Sequence, residues 1–229
     1  MPRPRITCHM ITSLDGRLLT ERWGRPPEEI LGVYEEAEAR LDAQGWIVGR
    51  VSMAELVGEG APNIEAGAEG SPRADVIAAP GAGRVAVAFD RDGRLDPQEN
   101  TCHGDHLVLV VSTRVAQAHV DRLAARGVSV IFAGKAGDEI EDALSRIAAG
   151  FGVDHLLLCG GGVMNAAFLE AGLVDETSTI LFPVLDGARR IPAIYDGADS
   201  SAAAAALELL SVDTLTGGAA WLRHKVLRG

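Results

Sequence analysis

The sequence predicts an α/β protein in which a mixed, mainly parallel sheet is flanked by helices and ends in an antiparallel portion. Short apolar runs typical of buried strands alternate with helical patterns as far as Glu176, and this alternation favours parallel strands joined by helices. After Glu176, strand-like runs follow one another without helices between them. With 47% hydrophobic residues available for a core, we predict one domain over residues 1–229.

Two strands in the first part of the chain end in polar or glycine-containing turns. Residues 5–11 form the predicted first strand, which ends in Ser13-Leu14-Asp15-Gly16. Apolar residues at helical spacing predict a helix over 28–41, with acidic residues near its start. A buried strand over 45–48 leads into Gly49, and Ser52 is a candidate N-cap for a short helix through Leu56.

The remaining elements follow from the same patterns. Residues 57–83 are rich in Gly, Ala, Pro and Glu without a period, which predicts a long surface excursion. The other predicted strands are 84–89, 106–111, 128–133, 177–182, 206–215 and 220–227, with helices to about residue 126 and over 138–149.

The most informative stretch runs from Asp154 to Glu176. A strand over 155–159 meets Gly160-Gly161-Gly162 and then a helix with Met164, Ala167, Phe168 and Ala171 on one predicted face, while Gly172 suits a left-handed C′ position. A strand that passes through glycines into a helix leaves free N–H groups at the helix start, with the positive end of the helix dipole behind them. This arrangement is typical of phosphate sites.

The glycine turn has a simpler interpretation as well. Three glycines after a strand also fit a tight turn alone, and contiguous glycines are not the G-x-G-x-x-G dinucleotide fingerprint. The turn at Gly49 supplies a second strand, glycine and helix-start arrangement, followed at once by Arg50. Two such helix starts suit the diphosphate of a dinucleotide, which favours the anion-binding interpretation.

Charge and composition exclude several classes of function. A net charge of -11 argues against nucleic-acid and membrane-surface partners, and we expect neither a signal peptide nor a membrane span. The three cysteines are far apart in the sequence, which favours reduced thiols in the cytoplasm. One segment, Cys102-His103-Gly104-Asp105-His106, contains metal-ligand side chains, but a single short segment favours a polar turn. We therefore predict no metal.

Three motifs in order resemble one known family. Ser13-Leu14-Asp15-Gly16, then 46–52 (WIVGRVS), then Cys159-Gly160-Gly161-Gly162 with a helix running to 172–176 (GLVDE) resemble the reductase domain of bacterial riboflavin biosynthesis, the C-terminal type of RibD. The resemblance covers nearly the whole chain. It implies a dihydrofolate reductase-like fold, NADPH as cofactor, a small-molecule substrate and a homodimer.

The resemblance also implies a set of cofactor residues. A guanidinium at Arg91, after the strand 84–89, suits a 2′-phosphate and so favours NADPH over NADH. Ser112 with Thr113 is the alternative for this contact, by analogy with dihydrofolate reductases. The other implied residues are Thr12 and Ser13 at the nicotinamide end, Gly49, Arg50 and Ser52 at a phosphate-binding helix start, and Gly160, Gly161, Gly162, Val163, Met164 and Asn165 under the diphosphate.

The substrate positions depart from the pattern of the family. Riboflavin-pathway reductases usually carry an aspartate where Leu56 stands, followed by a proline and an arginine that grip a phosphoribosyl group, and an acidic residue where Cys159 stands. The substrate candidates are Trp23, Arg40 and Cys159. Ser13 and Asp15 are candidates for a catalytic role, although Asp15 also fits as a stabiliser of its turn.

These observations lead to one functional prediction with two alternatives. We predict an NADPH-dependent reductase of a riboflavin-pathway pyrimidine, similar to 5-amino-6-(5-phosphoribosylamino)uracil reductase. The first alternative is a reductase of the same fold that acts on another pteridine, pyrimidine or xenobiotic. The second is an NADPH-binding protein without turnover.

Overall fold

The structure is a computed structural model, and it describes residues 2–65, 73–197 and 204–227. The chain divides into two compact units, one made of Met1–Pro4 and Gln44–Leu156, the other of Arg5–Ala43 and Leu157–Gly229. The prediction of one domain over residues 1–229 stays a prediction. Within the described ranges, no helix is both long and apolar enough to cross a membrane.

The first unit contains a mainly parallel sheet. β3 pairs in parallel with both β2 and β5, and β6 pairs in parallel with the end of β5. β3 and β5 are buried along their whole length, which is typical of parallel strands covered on both faces. The strands are β2 (Gly45–Gly49), β3 (Val85–Phe89), β4 (Thr101–Cys102), β5 (Asp105–Val111) and β6 (Ser129–Phe132).

Three helices belong to this unit: α2 (Arg50–Val57), α3 (Gln117–Ala125) and α4 (Ile140–Phe151). In α4 the fully buried Leu144, Ile147 and Phe151 share one face of the helix, as their spacing predicts. Gly152 ends α4 with a left-handed φ of 72°, a conformation that glycine adopts at low cost.

The second unit contains the antiparallel C-terminal strands that the sequence predicts. β1 pairs in parallel with β8, β8 pairs antiparallel with β10, and β10 pairs antiparallel with β9. β7 (His155–Leu158) carries the chain from the first unit into the second. The other elements are β1 (Arg5–Ser13), α1 (Pro27–Glu38), α5 (Gly162–Glu170), β8 (Glu176–Phe182), β9 (Ala206–Thr214) and β10 (Ala220–Leu227).

The predicted surface excursion over 57–83 is more closely held than its composition indicates. Val76 and Val130 exchange backbone hydrogen bonds of 2.8 and 2.9 Å, and Asp75 accepts a hydrogen bond of 2.9 Å from the backbone N–H of Phe132. The segment therefore covers the outer edge of β6. Residues 66–72 of the excursion lie outside the described residues.

One predicted helix boundary is wrong. α1 ends at Glu38 rather than Leu41, because Arg40 and Leu41 donate to carbonyls three residues back and tighten the chain into a turn. In α5 one residue of the predicted common face, Phe168, is buried, since this helix is apolar nearly all round and its period does not select a buried side. Its buried residues are Gly162, Asn165, Ala166 and Phe168.

Candidate functional site

In the glycine turn after β7, Gly161 and Gly162 have different surroundings. Gly161 is the N-cap of α5 and has a φ of 69°, and a Cβ added there would meet no atom within 4 Å. Gly162 is buried, and its Cβ would lie 2.4 Å from the carbonyl oxygen of Ala193. Gly162 is thus required for close packing, whereas Gly161 borders open space at the start of a helix, where free N–H groups attract anions.

The predicted cofactor residues that follow in α5 do not all face this space. Val163 is 73% exposed and Met164 is half-buried. Asn165 is fully buried, and its Nδ2 donates a hydrogen bond of 2.8 Å to the carbonyl oxygen of Ile194. The Asn165 side chain therefore holds the segment after β8 against α5, and its contact with a cofactor stays a prediction.

The turn after β1 is an ordered network around Ser13 and Asp15. Ser13 Oγ donates to Asp15 Oδ1 at 2.8 Å and accepts from the N–H of Arg17 at 2.9 Å. The Asp15 carboxylate also accepts from the N–H groups of Asp186 and Gly187, both at 2.9 Å. These hydrogen bonds, that of Asp186 first, lower the pKa of Asp15 to about 2. Asp15 is thus ionised at neutral pH and stabilises this turn, which does not suit a proton donor.

Thr12 lies in the same network. Thr12 and Ser13 are almost completely buried at the end of β1, and Thr12 Oγ1 donates to the carbonyl oxygen of Arg17 at 3.0 Å. Both hydroxyl groups therefore hold the loop that follows the strand. Their predicted place at the nicotinamide end stays a prediction.

The helix after β2 begins about one helical turn earlier than predicted. α2 begins at Arg50 with Gly49 as its N-cap, so Ser52 lies inside the first turn and the prediction of Ser52 as N-cap is wrong. Glycine at this position leaves the first N–H groups of α2 without a side-chain cap. Arg50 forms an ion pair with Glu59, which partly neutralises the cation predicted to hold cofactor phosphate.

Strands β3 and β5 end in polar residues with different accessibility. Asp90 is fully buried, and its Oδ2 accepts from the N–H of Leu95 at 2.7 Å. Burial raises the pKa of Asp90 above its ordinary value. Arg91 follows with a side chain that is 64% exposed, whereas Ser112 is fully buried and Thr113 is half-buried. Of the two candidates for contact with the 2′-phosphate, Arg91 is both charged and exposed, whereas Ser112 is uncharged and buried.

The three substrate candidates lie in different surroundings. Trp23 is only 7% exposed and stacks on Phe182 with ring centroids 5.5 Å apart, so this ring packs the interior of the second unit. Arg40 forms a surface ion pair of 2.6 Å with Glu36. Cys159 is half-buried, and burial raises the pKa of its thiol to about 12. Their contact with a substrate stays a prediction.

A buried polar cluster in the second unit was not visible in the sequence. His9 Nδ1 and Trp221 Nε1 both contact Ser178 Oγ, at 2.9 and 2.8 Å. The imidazole of His9 also lies against the Tyr34 ring, with centroids 4.4 Å apart, and burial lowers the pKa of His9 to about 4. The cluster is therefore uncharged at neutral pH. The register of β1 and β8 places His9 beside Ser178, and the pairing of β10 with β8 brings Trp221 to the same strand.

The segment Cys102 to His106 forms the tip and start of the β4–β5 hairpin. His103 and Gly104 make the turn with φ values of 51° and 85°, and His106 Nε2 contacts Ser129 Oγ at 2.8 Å. The described part of the chain holds no group of three His, Cys, Asp or Glu side chains suited to a metal ion. The segment is a turn, as its sequence favours.

The fold places the chain in a class of α/β proteins with several solved structures. A pyrimidine reductase-like protein from Corynebacterium diphtheriae superposes with a TM-score of 0.65 at 16% identity, over 99% of this chain and 93% of that one. RibD from Acinetobacter baumannii superposes with a TM-score of 0.64 at 19% identity, over 98% of this chain and 58% of that one. Identities this low show the fold alone.

The sequence comparisons are more specific. Residues 4–220 match the RibD C-terminal domain, and the chain belongs to this family. The 2,5-diamino-6-ribosylamino-4(3H)-pyrimidinone 5′-phosphate reductase of Methanothermobacter thermautotrophicus is 33% identical over 143 residues. That match spans 61% of this chain and 65% of the reductase, slightly less than two thirds of its length.

Proposed function

We propose that this protein is an NADPH-dependent reductase of a pyrimidine intermediate in riboflavin biosynthesis. The observation that carries the proposal is the start of α5, where Gly161 borders open space in a chain that matches the RibD C-terminal domain over residues 4–220. The relative at 33% identity is named as a reductase of a phosphorylated ribosylaminopyrimidinone. Its name supports the same substrate class for this chain.

The residues of the second unit suit the cofactor diphosphate. The open space beside Gly161, where an added Cβ would have no neighbour within 4 Å, leaves room for anionic oxygens at the start of α5, an end of the helix that favours negative charge. NADPH, when bound, supplies a hydride from its nicotinamide ring. The protein contributes position and electrostatics, and Thr12 and Ser13 are the residues we assign to the nicotinamide end.

Arg91 of the first unit suits the 2′-phosphate. Its side chain is 64% exposed, and its Nε lies 3.5 Å from Asp92 Oδ1. Ion pairs at the surface contribute little to stability. A guanidinium can form two parallel hydrogen bonds with a phosphate. We therefore expect NADPH to bind more tightly than NADH.

The reaction implied by the family is the reduction of a ring-opened ribosyl group to ribityl at C1′. Ser13 is the remaining catalytic candidate, because Asp15 is ionised and engaged by the N–H groups of Asp186 and Gly187. The buried hydroxyl of Ser13 donates to Asp15 and accepts from Arg17. This bonding suits a role for Ser13 in positioning the loop, from which we propose that it orients the nicotinamide end rather than transfers a proton.

Loss of NADPH absorbance in the presence of candidate substrates tests the proposal. We expect turnover with the 5′-phosphate of 2,5-diamino-6-ribosylamino-4(3H)-pyrimidinone or 5-amino-6-ribosylaminouracil, and rescue of a riboflavin auxotroph. Turnover confined to another pteridine, pyrimidine or xenobiotic would identify a same-fold reductase of different specificity. That alternative is favoured by Leu56, which replaces the usual aspartate. NADPH binding without turnover of any substrate would identify a cofactor-binding protein.

We also propose a homodimer in the cytoplasm. β9 pairs with β10, and its other edge has no partner strand among the described residues. Four large apolar residues of β9, at 48–60% exposure, line this edge strand: Leu207, Leu209, Leu210 and Val212. Such an edge is usually covered by a partner chain. The free thiols of Cys8, Cys102 and Cys159 suit a reducing compartment.

A further inference from the structure

Two adjacent arginines form an exposed basic tip in the loop after β8. Arg189 and Arg190 are both exposed, and within the described ranges neither side chain has an ion pair or a hydrogen bond. Asp186, the nearest acid before the tip in the loop, pairs with Arg22 at 2.9 Å, and Asp15 in the turn after β1 accepts from the loop backbone. In a chain of net charge -11, two neighbouring cations without an acid mark a place where an anion is favoured.

The tip is held in an uncommon conformation. Arg190 has a φ of 62°, which L-residues rarely adopt. Before the tip, the backbone N–H of Leu14 donates a hydrogen bond of 2.9 Å to the carbonyl oxygen of Val184. After the tip, the backbone N–H of Leu18 donates a hydrogen bond of 3.2 Å to the carbonyl oxygen of Pro192. Backbone strain that persists between two such anchored positions is typical of functional loops.

A third arginine joins the tip to the turn after β1. Arg17 Nη1 donates to the carbonyl oxygen of Ile191, next to Arg190, at 3.2 Å. Its Nε is buried without a hydrogen-bond partner, and its nearest acid, Asp15, is 4.0 Å away. The backbone of Arg17 is bonded to Thr12 and Ser13, the residues assigned to the nicotinamide end. The basic tip therefore adjoins the part of the second unit where we expect hydride transfer.

We infer that Arg17, Arg189 and Arg190 bind the phosphate monoester of the substrate, an inference that rests on the proposed function. In a ribosylaminopyrimidine 5′-phosphate, the phosphate lies a few bonds from C1′, the carbon that receives the hydride. Guanidinium groups recognise phosphate through paired, charge-assisted hydrogen bonds. The segment that contains Leu56 lacks the aspartate, proline and arginine pattern with which the family holds the phosphoribosyl group, and these arginines supply the missing phosphate contact. The cofactor diphosphate is assigned elsewhere, to the turn at Gly161.

Kinetics of Arg189→Ala and Arg190→Gly test the inference. Glycine suits a φ of 62°, so Arg190→Gly removes the cation while keeping the loop. We expect kcat/KM for the 5′-phosphate substrate to fall about 10-fold to 100-fold in each variant, as for loss of a hydrogen bond between charged groups. Turnover of the dephosphorylated pyrimidine and the Kd of NADPH should not change. Arg190→Lys should recover part of the loss.

The matched control is Arg25→Ala, which removes an exposed arginine paired with Glu29 on α1 and should leave all these constants unchanged. Equal losses with the phosphorylated and dephosphorylated pyrimidines would overturn the inference. So would a loss of NADPH affinity in place of substrate affinity, because the arginines would then bind the cofactor.

Calorimetry with ribose 5-phosphate supplies a readout that does not need turnover. The wild-type protein should bind this probe, and Arg190→Gly should bind it at least 10-fold more weakly. Wild-type binding that depends on Arg190, without turnover of any pyrimidine, would refute the proposed function but support the phosphate site. Equal binding by both proteins, or none by the wild type, would refute the site even if the pyrimidine is reduced.

Discussion

Gly161→Val tests whether the turn before α5 binds the cofactor or only changes the chain direction. Gly161 has a φ of 69°, and an added Cβ would meet no atom within 4 Å, so the start of a valine side chain has room there. The cost to the fold is confined to backbone strain, about 1–3 kcal/mol. For a chain of this size that corresponds to a fall of the thermal midpoint by roughly 2–4 °C for each kcal/mol.

If the N–H groups after Gly161 hold the diphosphate of NADPH, the substitution has a larger effect on cofactor binding than on the stability of the fold. A valine side chain would occupy the space that the phosphate needs, and we expect the Kd of NADPH, measured by fluorescence quenching, to rise at least about 100-fold, or roughly 2.7 kcal/mol. Cys159→Ser, one residue before the glycines, should leave binding largely intact because the half-buried thiol is replaced by a group of similar size.

Gly172→Val is the matched control for strain. Gly172 lies just after the same helix, with a φ of 67° and no neighbour within 4 Å of an added Cβ, so this variant repeats the substitution, the positive φ and the open surroundings at the opposite end of α5. Both variants should lose similar stability, but only Gly161→Val should lose NADPH. A folded Gly161→Val protein that binds NADPH as tightly as Gly172→Val would refute the assignment of the diphosphate to this turn.

Three further predictions concern selectivity, acid stability and assembly. Arg91→Ala should weaken NADPH more than NADH, because the exposed guanidinium is assigned to the 2′-phosphate, which NADH lacks; equal wild-type affinity for both cofactors would contradict it. Burial lowers the pKa of His9 from 6.5 to about 4, so the unfolded chain binds a proton first and stability should fall as pH drops from 6.5 to 4, by about 3 kcal/mol at most. His9→Gln should flatten this dependence in denaturant titrations, and an unchanged slope would assign it to other groups. Light scattering should give twice the 24.0 kDa chain mass, with Leu209→Lys shifting the particle to the monomer; a wild-type monomer at micromolar concentration would refute the dimer.

Much of the local structure was predictable because it depends on short-range patterns. The buried strands β3 and β5 and the helix α4 follow from runs and periods of apolar residues, and their bounds lie within two residues of the predicted ones. The left-handed glycine after α5 followed from its place behind the last apolar turn, and Gly172 has a φ of 67°. The end of α1 and the buried residues of α5 could not be predicted from the sequence. The tightened turn after α1 has no signature in the apolar period, and a helix that is apolar nearly all round has no periodic signal.

The sequence by itself determined the fold class, the antiparallel end and the glycine turn, because each depends on neighbouring residues. Only the tertiary structure decided what the side chains of the site do. It engages Asp15 with the N–H groups of Asp186 and Gly187, buries Asn165 against Ile194, and leaves Arg190 exposed with a φ of 62°. These outcomes depend on contacts between residues far apart in the chain, and no local pattern specifies which buried polar group meets which partner.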